Sequence, residues 1–77
     1  MPLYFFNLYD DLVTFDDEGR ELPDLSAAMQ AAEQGARELL CEQLRAGRID
    51  LSHWIEITDG KAVLGIVPFG EVVRVHA

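Results

Sequence analysis

The stretch Leu3–Tyr9, LYFFNLY, decides the fold. Its aromatic and long apolar side chains favour a β-strand. Alternation puts Tyr4, Phe6 and Leu8 on one face and Leu3, Phe5, Asn7 and Tyr9 on the other. Both faces carry aromatics, so this strand belongs in the middle of a sheet, with cover on each side. The rest of the chain has to be arranged around it.

Outward from that strand, Asp10-Asp11 suits a tight turn, because Asp accepts turn geometry and bonds its own main chain. LVTF, residues 12–15, then returns as a second strand. DDEG, residues 16–19, ends it with a glycine able to take positive φ. Residues 25–46 read as one long helix. Leu25, Ala28, Met29, Ala32, Ala36, Leu39, Leu40 and Leu44 recur at spacings of three and four and form a single apolar stripe. Asp24 is placed as the N-cap after Pro23, and Gly47 as the stop. Arg45 and Arg48 lie near the negative end of the helix dipole, and Glu33 precedes Arg37 by four positions, a favourable pair. Gly35 in mid-helix costs about 1 kcal/mol against alanine. That cost predicts a close approach of the helix backbone to the sheet.

HWIEITD, residues 53–59, alternates again, with His53, Ile55 and Ile57 on one side and Trp54, Glu56 and Thr58 on the other. Asp59-Gly60-Lys61 is a hairpin turn, and AVLGIVPF, residues 62–69, is the next strand, in which Gly65 and Pro68 mark a bulge or an edge. EVVRVHA, residues 71–77, extends that strand or forms a short one of its own.

The resulting order is ββαββ in one domain, residues 1–77: an α+β two-layer sandwich of one long helix on a four-stranded antiparallel sheet. Placing the third strand beside the first gives the order 2-1-3-4, with a right-handed crossover, and keeps LYFFNLY central. One helix covers one sheet face. Phe5, Trp54, Val13, Phe15, Leu64 and Ile66 contribute to the other, and an apolar face of that kind marks an interaction surface. The simplest way to bury it is a homodimer with a two-fold axis through the sheet.

Bulk properties point the same way. A chain of 77 residues buries only about 60% of its unfolded surface, so a small core needs support. Cys41 is the only cysteine, which rules out an internal disulfide, and with His53 and His76 it does not make a structural zinc set. A second chain is the remaining source of stability. The net charge of −8 repels nucleic-acid phosphates and anionic membranes and favours a basic protein partner. No apolar run approaches the roughly 20 residues that span a bilayer. The N-terminus lacks the basic start and cleavage site of a signal peptide, so the cytoplasm is the expected location.

The acidic residues raise one further possibility. In this topology Asp16, Asp17, Glu18, Asp24 and Asp59 fall at one end of the domain, with Asp10 and Asp11 at the other. Five carboxylates at one end offer oxygen ligands to a divalent cation. Their spacing does not follow D-x-[DN]-x-[DN]-G with a closing Glu, and the plainer reading is solvated turns and a helix cap. No catalytic set emerges. Ser26 and Ser52 lie outside any G-x-S-x-G elbow, Cys41 reads as a half-buried thiol, and His53 as a structural or surface imidazole. No cofactor motif is present.

Taken in order, MPLYFFNLYDD, DDEGRELPDLSAAMQAAEQGARELL, IEITD and VPF resemble a family of small proteins of rhizobia and related alphaproteobacteria, grouped as a domain of unknown function. The likeness runs from Met1 to about Phe69, with Asn7 standing where histidine is common. It implies a stand-alone bacterial protein and no particular activity. A looser, fold-level likeness is to HicB-type antitoxins, also small and acidic with an alanine-rich helix on a sheet. The expected function is therefore a non-enzymatic homodimeric interaction or regulatory module. The alternative is a module for metal or a small ligand built on the acidic turns.

Overall fold

Everything pairs around the first strand in the computed structural model, which describes residues 1–76. The elements are β1 (Leu3–Tyr9), β2 (Val13–Thr14), β3 (Arg20–Glu21), α1 (Leu25–Arg45), β4 (Trp54–Thr58) and β5 (Val63–Pro68), followed by a 3-10 turn at Phe69–Glu71. One helix lies on an open antiparallel sheet with the path β2-β1-β4-β5, and β3 also pairs β1. The α+β class follows from the sequence; the strand count does not. Among the described residues there are five strands rather than four, and the order 2-1-3-4 omits β3.

The reason is the length of β2. Its two residues reach only Leu8 and Tyr9 of β1, while β3 pairs Glu21 with Leu3 and Arg20 with Tyr4. β2 and β3 are thus two pieces of one returning edge, interrupted opposite Phe6. The side chain of Asp16 fills the gap: its Oδ2 accepts the Phe6 N–H at 3.1 Å. A carboxylate there stands in for the missing strand carbonyl, so the amide of a central strand is not left unbonded.

Helix α1 begins and ends as its sequence dictates. Asp24 Oδ1 accepts the Ala27 N–H at 2.9 Å, and Gly47, at φ 85°, turns the chain out of the helix. Ala28, Ala32, Ala36 and Leu40 are buried against Tyr4, Ile55, Ile57, Val67, Phe69 and Val72. Leu25 and Leu44, the ends of the apolar stripe, are 38% and 61% exposed. A 21-residue helix is about 32 Å long and a seven-residue strand about 23 Å, so the helix overhangs its sheet. Cys41 is exposed rather than half-buried.

Gly35 does not mark the close approach the sequence suggested. A Cβ there would sit 3.9 Å from Ile55 Cδ1, an ordinary contact. The tight spot is Gly65 on β5, where a Cβ would come within 3.0 Å of Met29 Sδ. After β5 the chain does not continue as a strand. It folds under the helix in the 3-10 turn, burying Phe69 and Val72, and Arg37 Nε donates to the Val72 carbonyl at 2.9 Å. Ala77, the end of the expected tail strand, lies outside the described residues. Among the described residues no helix is long and apolar enough to cross a membrane.

Candidate functional site

Residues directly opposite in an antiparallel pair share a sheet face. The register sets Phe5 against Thr58, Asn7 against Glu56 and Tyr9 against Trp54. On the outer strands Ile66 faces Glu56, Pro68 faces Trp54, and Val13 faces Tyr9. Tyr4, Ile55, Ile57 and Val67 are in the core under the helix, so these partners form the opposite face, joined by Phe15, which lines one groove with Phe5 and Asn7, and by Val63, which pairs Thr58 across an irregularity at Leu64. Of the predicted interface residues, Phe5, Phe15, Trp54 and Ile66 therefore fall on one side of one sheet, while Leu64 is the unpaired residue of the β5 irregularity, where alternation breaks. Phe15 is 68% exposed and Ile66 51%, while Phe5 is half-buried. Tyr9 and Trp54 stack at 5.0 Å with their rings 9° from parallel.

The middle of this face is polar and tied together. Asn7, 6% exposed, donates through Nδ2 to Glu56 Oε1 at 3.1 Å, and its Oδ1 accepts the Asp16 N–H at 2.9 Å. The Tyr9 hydroxyl donates to Glu56 Oε2 at 3.4 Å. Desolvation, then the Glu56 charge and this hydrogen bond, push the Tyr9 phenol above its ordinary range. A shallow groove of about 370 Å³ runs over Phe5, Asn7, Phe15 and Glu56.

The acidic turn residues are spent on local structure. Besides the Phe6 N–H, Asp16 accepts the N–H groups of Glu18 and Gly19, at 3.1 and 3.0 Å. Burial pushes its carboxyl up, and the Gly19, Phe6 and Glu18 donors together outweigh that and hold it below the usual range. Asp24 caps the helix. Asp59 accepts from Lys61 and Ala62, both at 2.8 Å, and the Ala62 bond, then the Lys61 bond, lower its carboxyl. Asp17 and Glu18 are exposed. Phe5 stands between the two turns, with its ring against both Gly19 and Gly60. These five acids do not converge on a common point.

Convergence occurs at the other end. Among the described residues, the group whose ligand-type atoms come together is Asp11, Asp50 and His53, within 4.8 Å of one another. Asp11 follows β1, and Asp50 and His53 precede β4. The pairing of Tyr9 with Trp54 brings those two segments side by side. Sequence reading took His53 as a structural or surface imidazole; the signal for its acidic neighbours lay in the antiparallel pairing of the two strands. His53 is 7% exposed, edge-on to Phe69 at 5.7 Å.

No curated protein and no solved structure matches the chain. A family model, the domain of unknown function DUF6894, covers residues 3–70, from the first residue of β1 to the 3-10 turn after β5. That span takes in the whole sheet, the helix and both sets of polar residues described above, and the chain belongs to this family.

Proposed function

We propose that the protein is a non-enzymatic cytoplasmic interaction module that pairs with a second copy of itself through the open sheet face. The observation that carries this reading is the alignment of Phe5, Tyr9, Val13, Phe15, Trp54 and Ile66 on the face the helix leaves uncovered. Contiguous apolar surface of that kind is costly to leave in water. The chain's core is also small, so covering this face adds burial where it is most needed.

A copy with charge −8 is repelled at long range, but that repulsion is screened beyond about 8 Å at physiological salt. The sheet face is where two such copies meet most easily. Its carboxylates, Glu56 and Asp16, are both hydrogen-bonded within the chain, and Phe5 and Phe15 line the groove beside them. Asn7, Glu56 and Tyr9 hold one another, which suits them to setting register in an interface rather than to turning over a substrate. A basic partner protein on the same face is the competing occupant.

Light scattering after size exclusion, at tens of micromolar, separates the readings. A dimer that tightens with added salt, and a folded monomer for Phe15→Asp or Ile66→Asp, is the expected result. A wild-type monomer throughout that range sinks the proposal.

A further inference from the structure

The buried imidazole of His53 faces two carboxylates and has no hydrogen-bond partner at Nε2. Asp50 Oδ2 lies 3.2 Å from that nitrogen, out of line for a hydrogen bond, and Asp11 Oδ1 lies 3.8 Å away. A buried polar atom left unbonded is costly, and in a native protein it calls for something to satisfy it. From this geometry we propose that His53 Nε2, Asp11 and Asp50 bind a divalent transition-metal ion of the zinc class.

The spacing suits such an ion. Zinc bonds to nitrogen and carboxylate oxygen are about 2.0–2.2 Å, which puts neighbouring ligand atoms about 3.0–3.6 Å apart. The observed 3.2 Å falls inside that range and 3.8 Å lies just beyond it. One imidazole with two carboxylates is a borderline ligand set, which selects zinc-like ions over magnesium or calcium. Asp50 is already oriented for the role. Its Oδ1 is held by the Ser52 hydroxyl and by the Ser52 N–H at 2.9 Å, leaving Oδ2 turned to the site. Three protein ligands leave at least one position open, and the ion would sit against a cleft of about 290 Å³ also lined by Asp10, Glu42 and Arg48. Arg48 lies 4.0 Å from Asp11 Oδ2, the oxygen turned away from His53. The ion would tie the β1–β2 turn to the segment joining α1 and β4.

Gln43 makes the proposal sharper. Its Oε1 accepts the Asp50 N–H at 2.7 Å, which turns its amide nitrogen toward His53 Nδ1 at 3.3 Å. An amide donor at Nδ1 places the neutral ring's proton on Nε2. An ion at Nε2 needs that lone pair, so the proton must move to Nδ1 and the Gln43 carboxamide must turn its oxygen to it. Gln43→Glu removes this obstacle, because both of its oxygens accept.

Calorimetric titration of the metal-free protein with Zn²⁺, Co²⁺ and Mg²⁺, in a Cys41→Ser background, tests the site. One Zn²⁺ per chain is expected, with Mg²⁺ much weaker and a Co²⁺ visible spectrum that reports nitrogen and oxygen ligation. Asp11→Asn and His53→Gln should each weaken Zn²⁺ by at least about tenfold, the loss that even outer-layer partners cause at metal sites. Gln43→Glu should tighten it. Asp11 is largely exposed, so Asp11→Asn keeps the fold even if His53→Gln does not. Zn²⁺ binding unchanged in Asp11→Asn, Mg²⁺ binding as tight as Zn²⁺, or weaker Zn²⁺ binding in Gln43→Glu would each overturn the proposal.

Discussion

Asn7 and Asp16 hold each other's strands in place: Asn7 Oδ1 accepts the Asp16 N–H at 2.9 Å, and the Asp16 carboxylate accepts the N–H of Phe6, next to Asn7, at 3.1 Å. This reciprocal pair bridges the gap between β2 and β3. It also explains a buried amide on the open side of the sheet. Asn7 there bonds the Asp16 backbone with its oxygen and Glu56 with its nitrogen.

Replacing Asn7 by leucine strands the Asp16 N–H and removes the donor to Glu56. A buried group left unbonded costs about 1–3 kcal/mol. Asn7→Leu should therefore lower stability by about 2–3 kcal/mol in urea unfolding. Asn7→Asp should be worse at neutral pH, because it sets a second carboxylate against Glu56, and should recover as the pair is protonated. Equal stability of Asn7→Leu and wild type would mean the network does not hold the sheet.

Asp16 carries a pH signature. Its native carboxyl titrates below the ordinary range, since the Gly19, Phe6 and Glu18 donors outweigh the upward push of burial. A depressed native value means stabilisation that is complete above the unfolded carboxyl range near ~3.9 and is lost as pH falls through the native value. Asp16→Asn keeps one acceptor oxygen and loses the other, so it should cost about 1–2 kcal/mol at neutral pH. The gap should close in acid. Urea midpoints of both proteins from neutral pH to below 4 check this; a constant gap refutes it.

Two glycines should respond in opposite directions to alanine. Gly19 has φ 74°, and a Cβ there would lie 3.0 Å from Leu3 Cγ and Phe5 Cε1. Strain and overpacking together make Gly19→Ala destabilising by about 2 kcal/mol or more. Gly35 is helical and has room, so Gly35→Ala should stabilise by about 0.5–1 kcal/mol. Thermal unfolding of the two variants side by side is enough to decide.

Trp54, the single tryptophan, stacks on Tyr9 at the open face. Dimerisation through that face covers its exposed edge. Dilution from tens of micromolar to the submicromolar range should red-shift its emission and lower its anisotropy. An emission spectrum independent of concentration while the mass changes would place the contact elsewhere, for instance along the β5 edge.

The parts of the fold legible in the sequence are those set by local rules. Asp24 and Gly47 bound the helix because capping and positive φ are decided within a few residues. The Asp59-Gly60 turn and the two faces of β1 follow for the same reason. β3 was not legible, since Arg20–Glu21 has neither length nor alternation and exists only because Leu3 and Tyr4 need partners. Phe69 and Val72 are buried by a turn that looks like the end of a strand. The meeting of Asp11 with Asp50 and His53 needed the strand register as well as the strand itself. The acidic turn showed the opposite error, a cluster in sequence in which Asp16, Asp24 and Asp59 are committed to nearby backbone amides while Asp17 and Glu18 are exposed.

The central place of β1 has a consequence for how the chain reaches this structure. β1 pairs β2 within a few residues, but its long partner is β4, and Phe5 meets Thr58 across 53 positions (58 − 5). Closing so distant a contact is slow compared with winding α1, which is made of near neighbours. During synthesis the most aromatic segment is made well before its main partner. LYFFNLY has only two short edges and Asp16 to pair with until β4 has been made, and the docking of β4 onto it is the long-range closure on which the sheet depends.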